Sequence, residues 1–352
     1  MKQLFIMHTQ YNLILSAAVL SQCKDADNTL VLVAEFALSD DMRDALSRVF
    51  SRVIVVRDQF YKPTSALDDV REIRCLLRKV KGIRREWFDR VYLSQERIFD
   101  KIVCRWVKRN NPQAYCCHME EDVYYSLNET YNADDFVYPD GWRMKRHRRR
   151  YALCLLGYPY DYQEVTYCYG MSRIYDGAAV LFPPLVRKEV AGKELREITK
   201  DELLAGIRAL YAHKTVTYPP ARKYLLFFFD LMERYNDPER VKALVHEMVR
   251  IAQTEGRTVL FKYHPRETDK FDAMAGTVEL PHLIPAEKVL ADLQDTDTVV
   301  VGNATTSCIV AAKLGFRTYS ICKLEIPTNR KMHEKMTDMG LSCVTNIDEV
   351  LL

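Results

Sequence analysis

Glycine and proline are scarce. The chain has 12 glycines and 13 prolines in 352 residues, about half their usual combined share of roughly 12%, and neither GxGxxG nor GxxxxGK(S/T) occurs. The glycine-rich phosphate cradles of dinucleotide enzymes and P-loop nucleotidases are excluded. No charge of one sign dominates either. Lys and Arg number 51 against 48 Asp and Glu, a net +3, so any polyanion binding has to be local. None of the ten cysteines forms a CxxC pair; most lie in apolar runs, where cysteine acts as a small hydrophobe. They read as reduced thiols, which predicts a cytosolic chain without a structural metal. The apolar stretch from Leu13 to Leu20 is far shorter than the roughly 20 residues needed to span a bilayer.

What is present is a rhythm. Short apolar runs alternate with amphipathic stretches: Leu4 to Met7 and a helix from Tyr11, Thr29 to Phe36 and Asp40 to Phe50, Val53 to Arg57 and Ala66 to Val80, then Arg90 to Leu93, Phe99 to Lys108 and Ala114 to Met119. A second series starts at Tyr224 to Phe229 and runs through Pro238 to Gln253, Val259 to Tyr263, Val278 to Leu280, Ala286 to Leu293, Thr298 to Val301, Ser307 to Leu314, Thr318 to Ile321 and Cys343 to Thr345. Each series is the βαβ pattern of a parallel sheet. The fold class is therefore α/β, with two Rossmann-like doubly wound domains expected to face a central cleft. The expected domains are 1–185 and 221–352, joined by a linker and an amphipathic helix over 186–220.

In such sheets ligands bind beyond the carboxyl ends of the strands, which ranks the polar residues. His8 to Tyr11 follow the first strand and Glu120 to Asp122 the fifth; His264 to Glu267 follow the strand ending at Lys262, and Asn303 to Ser307 follow Val301. Pro265 stops the ladder just after His264, leaving an imidazole between Lys262 and Arg266. Such a group can bond a phosphate and give it a proton, or it can serve only as a cap. Of the three adjacent carboxylates, like-charge repulsion raises one pKa and suits it to act as a base; the plain alternative is a solvated acidic turn. Asn303, Thr305, Thr306 and Ser307 gather hydroxyls and N–H groups where a helix begins, which suits an anion or ordinary capping by Thr306 or Ser307.

Taken together these clusters resemble bacterial GT-B sialyltransferases, above all glycosyltransferase family 52 and the related polysialyltransferases. That group has an Asp/Glu-Asp/Glu-Gly motif in its first domain, and an His-Pro and a Ser-Ser/Thr motif in its second. Glu121-Asp122-Val123, His264-Pro265 and Thr306-Ser307 stand in those places. Phe5 to Leu13, with Thr9 and Gln10, resembles the family's opening strand and Thr-Pro-Tyr-Gln-Leu, and Ile284-Pro285-Ala286-Glu287 is similar to a segment that meets the nucleotide. Val123 replaces the motif glycine, Gln10 the common proline and Thr306 the first serine. The resemblance implies an inverting, metal-independent transfer of sialic acid from CMP-sialic acid to a glycan hydroxyl, with a lipooligosaccharide or capsule as acceptor and no cofactor. Glu121, or else Asp230 after the Leu225 to Phe229 strand, would be the base. His264 would protonate the leaving phosphate, Thr306 and Ser307 would hold it, and Glu287 would meet the ribose. Asp25-Ala26-Asp27 and Asp295-Thr296-Asp297 resemble the DxD of metal-dependent transferases, but both precede their strands.

A different donor, CMP-Kdo or a UDP-sugar, is equally compatible with such a fold. Two basic runs, Arg71 to Arg85 and Arg143 to Arg150, read as solvated helix faces or as peripheral docking to anionic lipid at the inner face of the cytoplasmic membrane. The second option suits a lipid-linked acceptor. A purely nucleic-acid-binding module is disfavoured, since stacking aromatics are not interleaved with the arginines; a homodimer is compatible with the sequence.

Overall fold

The computed structural model describes residues 1–23, 26–57, 65–121, 155–156, 170–235, 237–268, 270, 274–303, 305–325 and 330–350. Asp122, Val123 and the Arg143 to Arg150 run lie outside them. The chain divides into two units, Met1–Leu210 and Tyr211–Leu352.

The first unit runs β1 (Lys2–Met7), α1 (Gln10–Leu20), β2 (Asp27–Val33), α2 (Asp40–Val49), β3 (Arg52–Arg57), α3 (Ala66–Lys79), β4 (Arg90–Leu93), α4 (Ile98–Asn110), β5 (Tyr115–Met119), β6 (Gly177–Val180), α5 (Lys188–Ala191), β7 (Glu194–Glu197) and α6 (Lys200–Tyr211). Its strands form one parallel sheet in the order β3-β2-β1-β4-β5-β6-β7. The second unit runs β8 (Lys223–Phe228), α7 (Pro238–Thr254), β9 (Thr258–Lys262), β10 (Thr277–Glu279), α8 (Ala286–Asp292), β11 (Asp297–Gly302), α9 (Thr306–Lys313), β12 (Arg317–Ser320), α10 (Cys322–Glu325), α11 (Arg330–Asp338) and β13 (Leu341–Cys343). Its sheet, also parallel, has the order β10-β9-β8-β11-β12-β13.

The central strands are covered on both faces, so they are apolar throughout rather than alternating. Leu4 to Met7 in β1 and Tyr224 to Phe228 in β8 are all buried. Polar punctuation sets the helix starts: Thr9, Ser39, Ser65, Asp237 and Thr305 each accept a backbone N–H from the first turn, a cap contributing about 1 kcal/mol. Helix α1 is buried from Asn12 to Leu20, because α6 lies across it. A Cβ at Gly206 would meet the Ala18 nitrogen and the Ile14 oxygen at 2.6 Å, so only glycine permits that approach.

This packing corrects one expectation. Residues 186–210, expected as linker, belong to the first unit: β7 is the edge of its sheet and α6 lies on α1. Of the ten cysteines, eight lie among the described residues; all eight are free thiols, six of them buried.

Candidate active site

In both sheets the strand order reverses direction at one place, between β1 and β4 in the first unit and between β8 and β11 in the second. Chains leaving adjacent strands there turn to opposite faces, which opens a crevice beyond their carboxyl ends.

In the first unit His8 and Thr9 follow β1. Thr9 caps α1, its hydroxyl accepting the Asn12 N–H at 3.2 Å while Asn12 Oδ1 accepts the Thr9 N–H at 3.1 Å. Gln10 is the first residue of that helix. The His8 ring turns inward and places Nε2 3.0 Å from Asp100 Oδ1. The acidic run after β5 separates by environment. Glu120 is buried; it accepts the Tyr11 hydroxyl at 2.8 Å and the Leu181 N–H at 3.1 Å, so it clamps α1 and β6 onto β5. Glu121 is half-buried and accepts a hydrogen bond from the Gln95 carboxamide at the end of β4. Glu121 is the less buried residue of the described pair.

In the second unit Asp230 follows β8, half-buried, with Oδ1 accepting the Leu231 N–H at 2.8 Å. Beside it His264 follows β9. Its Nδ1 accepts the Arg266 N–H at 3.1 Å in the turn that Pro265 opens, which puts the proton of the neutral ring on Nε2. The imidazole thus presents an N–H donor rather than a spare proton. Glu267 closes the same turn, its carboxylate accepting the Met232 N–H at 2.5 Å, which ties the segment after β9 to the segment after β8.

Lys262 is not a surface cation. It is buried, and its ammonium donates to the carbonyls of Tyr263 at 2.9 Å and His282 at 3.2 Å. It braces the end of β9 against the segment that enters α8. Burial lowers its pKa to about 8, opposed by Glu287 and Glu279. Glu287, in the first turn of α8, has its carboxyl pushed up by burial, opposed by its own backbone N–H and by Lys262.

After β11, Asn303 leads to α9. The helix cap is Thr305, whose hydroxyl accepts the Cys308 N–H at 3.4 Å, not Thr306 or Ser307 as expected. Thr306 and Ser307 therefore occupy the first turn, where N–H groups lack intrahelical partners. Gly302 makes the turn possible: a Cβ there would meet Cys308 Sγ at 2.6 Å and the Phe228 oxygen at 2.8 Å.

The second unit thus has Asp230, His264, Asn303, Thr305, Thr306 and Ser307 beyond the adjacent strands β9, β8 and β11. The described residues of the two DxD-like triplets, Ala26, Asp27 and Asp295 to Asp297, stand at the opposite end of their sheets. Asp27 and Asp297 are the first residues of β2 and β11, and Asp297 is held by Arg257 and Arg317 at 3.0 and 2.6 Å. Among the described residues, no group of three His, Cys, Asp or Glu side chains is placed to hold a metal ion. Gln95 and Asp100 were not among the expected residues; Gln95 lies two residues past β4 and belongs with the other strand-end groups, whereas Asp100 lies within a helix and carries no signal in the sequence.

No family model matches the sequence, and no curated protein matches it. Solved structures match it in fold. A glycotransferase of kitacinnamycin superposes with TM-score 0.56 at 12% identity, covering 99% of this chain and 87% of that one. The UDP-GlcNAc 2-epimerase of Methanocaldococcus jannaschii, solved with UDP-GlcNAc and UDP, gives 0.53 at 12% identity over 99% and 90%. An S. aureus protein solved with UDP gives 0.53 at 11% identity over 99% and 85%. The chain has the GT-B fold of these proteins, two parallel α/β units.

Proposed function

We propose that this chain is a glycosyltransferase that takes its sugar from a nucleotide donor held by the second unit. The observation that carries the reading is the convergence of His264, Asp230 and the Asn303 to Ser307 turn beyond three neighbouring strands at the reversal of the second sheet. A phosphate there meets the positive end of the α9 dipole and the Nε2–H of His264, which stabilise the charge that develops as the glycosidic bond to the nucleotide breaks. In this reading Glu287, in the first turn of α8, accepts hydrogen bonds from the ribose hydroxyls, as a carboxylate does from a diol. Glu121 takes the proton of the attacking acceptor hydroxyl, with Asp230 as the other carboxylate available for that step. No metal is required in this scheme, so activity is expected to survive EDTA.

Two observations bear on the donor. The Glu121-Asp122, His264-Pro265 and Thr306-Ser307 motifs favour CMP-sialic acid and a lipooligosaccharide- or capsule-type acceptor. The neighbours solved with UDP or UDP-GlcNAc favour a UDP-sugar. A screen of CMP-sialic acid, CMP-Kdo and UDP-sugars for nucleotide release by the purified chain separates them. Conversion of UDP-GlcNAc to its 2-epimer without an acceptor would replace transfer with epimerisation. Release from none of these donors, with His264→Ala binding them as the parent does, would overturn the assignment.

A further inference from the structure

We propose that the outer face of α3 and the turn after it form a docking surface for an anionic lipid bilayer. Helix α3 is two-sided. Val70, Ile73 and Leu76, with Val80 just past its end, are buried, whereas Leu67, Arg71, Arg74 and Arg78 are exposed at spacings of four, three and four residues, which puts them on one face. At 1.5 Å per residue that row is about 16 Å long. A single 3-10 turn at Ile83–Arg85 follows, and exposed Lys81, Arg84 and Arg85 extend the positive surface.

Among the described residues none of these six cations is in an ion pair. Of the acids nearby, Glu72 pairs with Arg57, Glu86 with Lys2 and Arg52, and Asp68 accepts the Ser65 hydroxyl. A cationic row without counter-charges is complementary to an anionic surface, and the apolar residues beside it specify which kind. Five large hydrophobic side chains are conspicuously exposed among the described residues; Leu67 at 61% and Leu155 at 52% adjoin this row, and Trp87 at 55% follows the turn after it. Leu67 begins the row, and the Leu155 carbonyl accepts a hydrogen bond from Arg74 at 3.1 Å. Trp87 stands two residues past the 3-10 turn, its indole N–H bonded to Asp89 at 3.2 Å. A nucleic-acid backbone would reward the arginines and leave these three in water. A bilayer interface takes both, cations among the headgroups and Leu and Trp at the acyl boundary. The surface is independent of whether the chain transfers a sugar.

The test is co-sedimentation of the full chain with phosphatidylcholine vesicles, with and without 30% phosphatidylglycerol, at low and high salt, beside a poly(U) binding titration. Binding only to the anionic vesicles, weakened by salt, is expected. The triple change Arg71→Gln, Arg74→Gln, Arg78→Gln should lower that affinity about 100-fold with an unchanged thermal melt, since these side chains are exposed. Trp87→Ala should weaken binding while the salt response persists. Equal binding to neutral vesicles, a triple variant that binds as the parent does, or poly(U) bound more tightly than anionic vesicles would each overturn the proposal.

Discussion

His8 and Asp100 form a hydrogen-bonded pair sealed from solvent: the imidazole is 1% exposed and the carboxylate 0%, with Nε2 3.0 Å from Oδ1 and 3.2 Å from Oδ2. The carboxylate also accepts the Arg97 N–H at 3.1 Å, so the residue after β1 is locked to the start of α4 across the reversal of the first sheet. Because an ionised carboxylate only accepts, the proton lies on Nε2 and Nδ1 carries the lone pair. Removing one member leaves the other buried and uncompensated. Asp100→Ala is expected to cost about 2 kcal/mol in urea unfolding, the penalty for a buried donor left without its acceptor. A loss under about 1 kcal/mol, the usual range for an exposed pair, would show that water enters this contact.

Lys262 makes stability depend on pH. Its pKa is lowered to about 8 in the folded chain, against about 10.4 when unfolded. Between these values the unfolded state binds one more proton, so this group makes stability rise with pH across that window. Below pH 8 both states are protonated and its full cost, about 3 kcal/mol, is present. Urea midpoints of the parent and Lys262→Met from pH 7.5 to 10.5 should therefore differ in slope, the variant losing the rise. Parallel curves would place the ammonium in water.

The base is testable by isosteric change. Glu121→Gln keeps the Gln95 contact within reach of a carboxamide but removes the proton acceptor, and kcat should fall about 100-fold or more with donor KM little changed. Asp230→Asn is expected to be milder, since Asp230 Oδ1 is engaged by its own turn. The reverse ranking would move the base to Asp230.

Gly302→Ala addresses the anion turn. The added methyl has to displace Cys308 or the Phe228 backbone, an overpacking expected to cost about 1–3 kcal/mol. Because the same shift moves Asn303 and the first turn of α9, nucleotide affinity measured by calorimetry should drop as well. Unchanged affinity alongside reduced stability would separate this turn from the donor.

The strands that carry the candidate site were legible because each is a short apolar run with a breaker or polar cluster at its end. Pro265 after His264 and the small polar run after Val301 are the plainest cases. Strands β6 and β7 were not. Gly177–Val180 is short and made largely of small residues, and Glu194–Glu197 alternates charge with little to bury. They are strands because β5 leaves an open edge: Cys117, His118 and Met119 pair with Gly177, Ala178 and Ala179, and β6 in turn pairs with β7. A backbone edge is supplied by a distant segment, and no local pattern reports it.

The same division runs through the site. Alternation of apolar and amphipathic segments by itself determined two parallel α/β units and the strand ends at which His264, Asp230 and Glu121 stand, since burial on both faces demands those runs. Which partners hold Glu120 and Glu121, which hydroxyl caps α9, and that Lys262 is a buried brace were decided only by tertiary packing. Glu120 and Glu121 are chemically identical neighbours. One is consumed by Tyr11 and the Leu181 N–H, groups far away in sequence, and a polar group's availability depends on the partners the fold brings to it.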